Sequence, residues 1–245
     1  MVAPSLVSPD WHVGTVVETK TETPTGRRIV FDVPGWSGNI AGQHVDVRLS
    51  APDGYQAVRS YSIASADSSS KVQLAVDKLP DGEVSPYLVD DLQLGDQVEF
   101  RGPLGGWFVW TPAQTDPVQL IGGGSGIVPL VAMVRAHAAS GSTAPFRLLY
   151  SVREPADAFF VDELASLAGP HLEITWVYTR KTPDGWPTPA GRVTEEILAR
   201  STFPASDNPQ VFVCGPTGFV EAVADHLVAL GHDPLRVKTE RFGGA

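Results

Sequence analysis

The sequence predicts two domains, an antiparallel Greek-key β-barrel followed by a doubly wound α/β unit with a parallel sheet, and three observations carry this. The chain has 245 residues, above the usual size of one domain and enough for two separate cores. From Trp11 to about Trp110, short alternating runs recur roughly every 10 to 15 residues between turn residues, the rhythm of an all-β unit. Beyond Thr111 the order becomes strand, glycine or polar turn, then helix, which builds a parallel sheet.

The first half holds candidate strands at His12 to Lys20, Arg28 to Val33, Gln43 to Leu49, Val58 to Ala64, Val72 to Lys78 and Gln97 to Gly102. Between the last two, Val84, Tyr87, Leu88 and Leu92 fall at helical spacing after a Pro80-Asp81-Gly82 turn, predicting a helix over Val84 to Leu92. In the second half, Val118 to Ile121 precedes a helix from about Ile127 to Ala139, and Arg147 to Ser151 precedes one near Phe160 to Leu167. Glu173 to Tyr178 then leads to Thr194 to Arg200, Val211 to Val213 leads to Thr217 to Leu230, and Arg236 to Lys238 closes the sheet. The boundary falls at Pro112 to Pro117, giving domains 1–112 and 113–245.

Composition excludes several classes. With 42% hydrophobic and 19% charged residues the chain has globular composition. No apolar run is long enough to span a bilayer. Met1 to Asp10 lacks the basic and apolar regions of a secretory leader, so the expected location is cytoplasmic. A single cysteine, Cys214, allows neither an internal disulfide nor an iron-sulfur cluster held by this chain, which takes about four thiolates. The histidines at 12, 44, 137, 171, 226 and 232 are scattered singly, so no metal site is expected. A formal charge of −10 argues against nucleic acid or an anionic membrane as partner, although a few placed arginines still suffice for an anionic dinucleotide.

Four segments carry the chemistry. Arg59-Ser60-Tyr61-Ser62 places a cation, a ring and hydroxyls within one strand, the set a flavin needs at its pyrophosphate, ring face and N5; alone it is equally an ordinary half-exposed strand. Gly82-Glu83-Val84-Ser85 opens the candidate helix, where free backbone N–H groups face a phosphate or the helix is simply capped. Gly122-Gly123-Gly124-Ser125-Gly126 joins an apolar strand to a helix, the context of a phosphate-cradling loop, with Ile127 at the last glycine position of the dinucleotide fingerprint. It lacks the lysine of a P-loop, which argues against nucleotide hydrolysis. Cys214-Gly215-Pro216 follows another strand and puts a thiol at a ligand-binding strand end, although an isolated cysteine is more often structural.

In this order the motifs resemble the ferredoxin-NADP(H) reductase superfamily, over nearly the whole span from Trp11 to Phe242 and without a fused ferredoxin domain. The resemblance implies an FAD-binding barrel and a nicotinamide-dinucleotide-binding α/β domain. It assigns Arg59, Ser60, Tyr61, Ser62 and Gly82 to Ser85 to FAD, and Gly123, Gly124, Ser125 and Gly126 to the dinucleotide pyrophosphate. Cys214, Gly215 and Pro216 are implied beside the nicotinamide, with Glu240 and Phe242 in a carboxyl-terminal segment facing the flavin. Ser62, Cys214 and Glu240 are then the residues around the hydride path. Arg153, Arg180 and Arg192 follow strands of the α/β domain, as arginines holding a 2′-phosphate do in the bacterial branch, so NADPH is expected over NADH.

The implied activity is hydride transfer from NADPH to FAD, then electron delivery to a separate ferredoxin, flavodoxin or oxygenase component. Competing readings are a free-flavin reductase, a siderophore-interacting ferric reductase and a non-catalytic nucleotide-binding subunit.

Overall fold

The computed structural model describes residues 11–242. Met1 to Asp10, read above for a leader, and the three residues after Phe242 lie outside them. The first half folds as six antiparallel strands: β1 (Trp11–Thr23), β2 (Gly26–Asp32), β3 (His44–Ser50), β4 (Gln56–Ser62), β5 (Lys71–Asp77) and β6 (Gln97–Leu104). Their order is β4-β3-β6-β1-β2-β5, and a bridge from Ile63 to Leu74 joins the two edges into a barrel. Inward residues such as Val16, Ile29, Phe31, Val45, Val47, Leu74 and Phe100 are buried, as the period-two pattern requires.

Two expectations need correcting. β4 ends at Ser62 instead of Ala64, because Ile63 N–H turns to the Gln43 carbonyl and Ala64 N–H to that of Gln73. The helix expected over Val84 to Leu92 is a single π-type turn, Tyr87–Asp91. Pro86 supplies no N–H at its start. At its end the Leu92 N–H reaches the Tyr87 carbonyl five residues back, and the Arg27 guanidinium donates to the carbonyls of Leu88, Val89 and Leu92. Val84, Leu88 and Leu92 all plug the barrel core, so the spacing was read correctly and only the winding was not.

The second half contains β7 (Val118–Gly123), α1 (Ile127–Ser140), β8 (Phe146–Val152), α2 (Val161–Leu167), β9 (Leu172–Tyr178), α3 (Glu195–Ser201), β10 (Gln210–Pro216), α4 (Thr217–Ala229) and β11 (Val237–Phe242). The parallel order β11-β10-β7-β8-β9 reverses direction between β7 and β10. A separate core cluster lies on each side of the sheet, one including α1 and α2, the other α3 and α4. β11 runs to Phe242, well past the expected Lys238, because it pairs with β10 along the whole length of that strand. Among the described residues no helix is long and apolar enough to cross a membrane.

The two sheets share a core. Ala41, Ala64, Ala75, Phe108 and Trp110, in or just after the barrel, cluster with α1 and with β7 and β8. The approach is close enough that a Cβ on Gly26 would lie 2.2 Å from the Phe159 ring. Polar bonds pin the seam. On α1, Arg135 donates from Nη1 to the Ala64 carbonyl (2.8 Å) and the Gln73 side chain (2.5 Å), while Nε and Nη2 grip Glu163 of α2 at 2.6 and 2.8 Å. Phe160, held in the left-handed region at φ 58°, gives its N–H to Glu22 of β1.

Hydrogen bonds to a charged group contribute about 1.5–3 kcal/mol, and Arg135 is mostly covered, with 22% of its side chain exposed. Arg135→Ala is therefore expected to lower the unfolding free energy by about 2 kcal/mol, read as a shifted denaturant midpoint. A change within 0.5 kcal/mol, the ordinary range for a surface substitution, would show the seam does not depend on it.

Candidate functional site

The reversal between β7 and β10 leaves a crevice at the carboxyl ends of the parallel strands, where ligands of such sheets bind. Both glycine-bearing motifs end there. After β7 the chain makes a short 3-10 turn over Gly124–Gly126, with Gly124 at φ 55°, and runs straight into α1. Gly126 serves packing: a Cβ there would sit 2.2 Å from the Cys214 carbonyl oxygen, so the turn can lie on β10 only without a side chain. The Phe219 ring of α4 likewise lies against Gly123 and Gly215.

Two clefts meet at this crevice. One, on the barrel side, is lined by Arg59, Ser60, Tyr61 and Ser62 of β4, by Gly82 to Ser85, and by Ala75, Asp77 and Leu79. From the other domain Ser125, Val128 and Phe242 complete it. The second cleft is lined by Gly123, Gly124, Ser125, Ser151, Arg153, Asp157, Thr179 and Pro216, with Thr23 and Thr25 from the barrel. Asp77, Leu79, Ser125 and Phe242 border both, so the clefts share a wall.

On the barrel side, Arg59 pairs with Glu83, and Ser60 turns its hydroxyl to Asp46 at 2.6 Å. Burial pushes the Tyr61 phenol up to about 12, so its ring is a neutral, half-buried surface. Ser85 Oγ accepts the Leu79 N–H at 3.0 Å, which fixes the turn before the π-type helix. A cation, a ring and hydroxyls on one cleft wall suit an aromatic anion, the donor set that FAD requires.

On the sheet side, Cys214 is buried and lines neither cleft directly; it pairs across β10 and β11 with Glu240 and across β10 and β7 with Gly122. Burial first, then the Glu240 charge, holds its thiol well above the ordinary range, so sulfur is a neutral contact and no thiolate. Burial raises the Glu240 carboxyl to about 7, leaving it close to half protonated at neutral pH. Phe242 follows on the same strand face and reaches both clefts.

The expected arginines separate. Arg153 lies in the second cleft, its Nε 3.0 Å from Asp157. Arg180 and Arg192 are exposed and line neither cleft; the Arg180 N–H donates to the Arg153 carbonyl at 2.9 Å, and the neighbour of Arg192, Gly191, donates to the Tyr178 carbonyl at 3.0 Å. Both thus flank the loop ends beyond the cleft. Sequence reasoning missed Thr23, Thr25, Asp77 and Asp157. Only Asp157 carried a local signal, four residues after Arg153, where the two side chains pair.

Residues 14–109 match the family profile described as an oxidoreductase FAD-binding domain, and residues 120–225 match that of an oxidoreductase NAD-binding domain. Among curated relatives, the toluate 1,2-dioxygenase electron transfer component of Pseudomonas putida is 28% identical, over 84% of this chain and 59% of its own length. The propane 2-monooxygenase reductase component of Mycolicibacterium smegmatis is 30% identical, over 87% of this chain and 62% of its own. The chain thus spans about six tenths of these two relatives. Among solved structures, an Amycolatopsis cytochrome P450 reductase superposes with a TM-score of 0.82 at 29% identity, covering 95% of this chain and 70% of that one. A Neisseria gonorrhoeae ferredoxin NADP+ reductase with bound FAD and NADP shares the fold, with a TM-score of 0.79 at 21% identity, over 94% and 98% of the two chains.

Glu240, opposite Cys214 on β11, carries a pH signature. Its folded value lies above that of an unfolded glutamate, so its contribution to stability is intact below the ordinary carboxylate range and lost as pH rises through about 7. Glu240→Gln, which cannot ionise, is expected to exceed wild type in thermal midpoint by a margin that widens from pH 5 to pH 8. A margin constant across that range would refute the raised value.

Proposed function

Since the chain belongs to the oxidoreductases that join an FAD-binding domain to an NAD-binding domain, we propose that it carries a hydride from NADPH to FAD and passes electrons to a separate redox protein. The toluate and propane relatives are by name the electron transfer component and the reductase component of oxygenases, which favours an oxygenase component as the acceptor, with ferredoxin and flavodoxin the other candidates. One observation carries the reading: the two clefts share Ser125 and Phe242, so rings held in each can meet.

FAD, when bound, supplies the ring that accepts the hydride and then gives up electrons singly or in pairs. The chain's residues bind and orient. Arg59 would set a positive charge against the flavin pyrophosphate, the Tyr61 ring would cover a flavin face, and the Ser62 hydroxyl would provide a polar contact at the edge that reacts. Glu83, Val84 and Ser85 would bring backbone N–H groups to the same phosphates, while the Gly82 N–H is bonded to the Leu79 carbonyl at 2.9 Å and only shapes the turn. Gly123, Gly124 and Ser125 cradle the nicotinamide dinucleotide, with Gly215 and Pro216 opposite. A hydride handed directly between the two rings would need no general base; Cys214 and Glu240 would set the polarity beside that path, the carboxyl holding or releasing a proton near neutrality. Phe242, which lines both clefts, would compete with nicotinamide for the flavin face.

NADPH selectivity is assigned to Arg153, Arg180 and Arg192 around the outer end of the second cleft, where a 2′-phosphate would meet their charge. Arg153 lines the cleft while paired with Asp157, and Arg180 and Arg192 stand outside it, where their removal tests the assignment without opening that pair.

Anaerobic mixing with NADPH in stopped flow, then reoxidation by candidate acceptor proteins, tests the activity. Bleaching of the flavin band is expected in wild type, and Cys214→Ala should slow it at least tenfold with flavin content unchanged, about 1.4 kcal/mol of barrier. A wild-type rate in that variant would return Cys214 to a packing role. For the nucleotide, the double variant Arg180→Ala, Arg192→Ala should cut the ratio of kcat/KM for NADPH over NADH by about ten- to a hundredfold, the span of one charge-assisted bond. A ratio unaffected by the change would remove the assignment.

A further inference from the structure

The barrel cleft has an unexpected charge balance for a flavin phosphate. Among the described residues lining it, Arg59 is the one basic side chain, while Asp77 and Glu83 are acids. Glu83 lies within the segment that should face the pyrophosphate, and both its oxygens are engaged. Oε1 accepts the Tyr55 hydroxyl at 2.5 Å, and Oε2 accepts Arg59 Nη2. The bond from Tyr55, followed by the charge of Arg59 and its hydrogen bond, holds the Glu83 carboxyl below its ordinary range, so it is an anion at neutral pH. Apart from this pair, Arg59 donates only to the carbonyl of its neighbour Val58, at 2.8 Å. About half of each of the two paired side chains is open to solvent, 53% for Arg59 and 45% for Glu83, so either can swing away at small cost.

We propose that Glu83 sets the affinity for FAD by competing with the flavin pyrophosphate for the Arg59 guanidinium. This rests on the flavin reading above and assigns Glu83 a role that its backbone alone would not have. Binding then exchanges one ion pair for another in place of creating a new one, and a displaced carboxylate remains beside two phosphate charges. Glu83 and Tyr55 in return keep the guanidinium at the mouth of the cleft, so the cation is in place before the ligand arrives. The consequence is a flavin that exchanges with solution more readily than the protein's other contacts imply.

The test is a charge series at one position, Glu83→Gln and Glu83→Lys. Loaded protein is diluted and flavin release followed by the recovery of its fluorescence, once with FAD and once with riboflavin, which has the ring but no phosphate. The dissociation constant for FAD is expected to fall about tenfold for Gln, the effect of removing one unit charge a few ångströms from a phosphate near a surface, and further for Lys. That for riboflavin should stay within about twofold, about 0.4 kcal/mol. Unchanged or weaker FAD binding in both variants overturns the proposal while leaving the flavin reading intact. Equal tightening of riboflavin also overturns it, because the effect would then not act through the phosphate. Failure of wild type to bind either flavin would overturn the flavin reading and this proposal with it.

Discussion

The structure turns on the Arg135 guanidinium. A hydride acceptor and donor held in different domains are useful only if the domains keep a fixed spacing, since misplacement by an ångström can cost orders of magnitude in rate. Arg135 lies within the helix that follows the glycine turn and bonds to the Ala64 carbonyl, two residues beyond Ser62. One planar group thus ties the strand that carries Arg59, Tyr61 and Ser62 to the helix that begins at the nucleotide loop. Its second partner, Glu163, draws α2 into the same arrangement, and the Arg135 and Arg28 guanidinium groups both lie over the Phe160 ring. The left-handed Phe160 is the strained element of the seam, and the bond from its N–H to Glu22 offsets that strain.

Much of the fold was legible because period carries it. Valines and isoleucines alternate in the barrel strands, and the strand-turn-helix order beyond Thr111 admits few topologies. What the sequence hid were effects of distant partners. Nothing near Val84 to Leu92 announces that Arg27, some sixty positions earlier, will take three carbonyls and let the helix widen into a π-type turn. The length of β11 was equally invisible, since Glu240-Arg241-Phe242 is a strand by virtue of β10 beside it.

The candidate site divides in the same way. Arg59 to Ser62, the glycine turn and Cys214 to Pro216 stood out because each packs its unusual chemistry into a few consecutive residues. Asp77, which accepts the Thr25 hydroxyl at 2.7 Å and borders both clefts, lies at the end of an ordinary strand and shows nothing in sequence. Gly126 was conspicuous for a different reason from the one the structure gives, since its missing side chain is demanded by the Cys214 carbonyl.

The shared core also bears on what can be taken apart. Family boundaries divide the chain into an FAD-binding and an NAD-binding half, yet Ala41, Ala64, Phe108 and Trp110 are buried among residues of α1, β7 and β8. A barrel produced alone would present that apolar surface to water, an invitation to self-association. The two halves are modules in lineage but not in substance: exchanging one for a relative's counterpart would demand a matching seam as well as a matching motif.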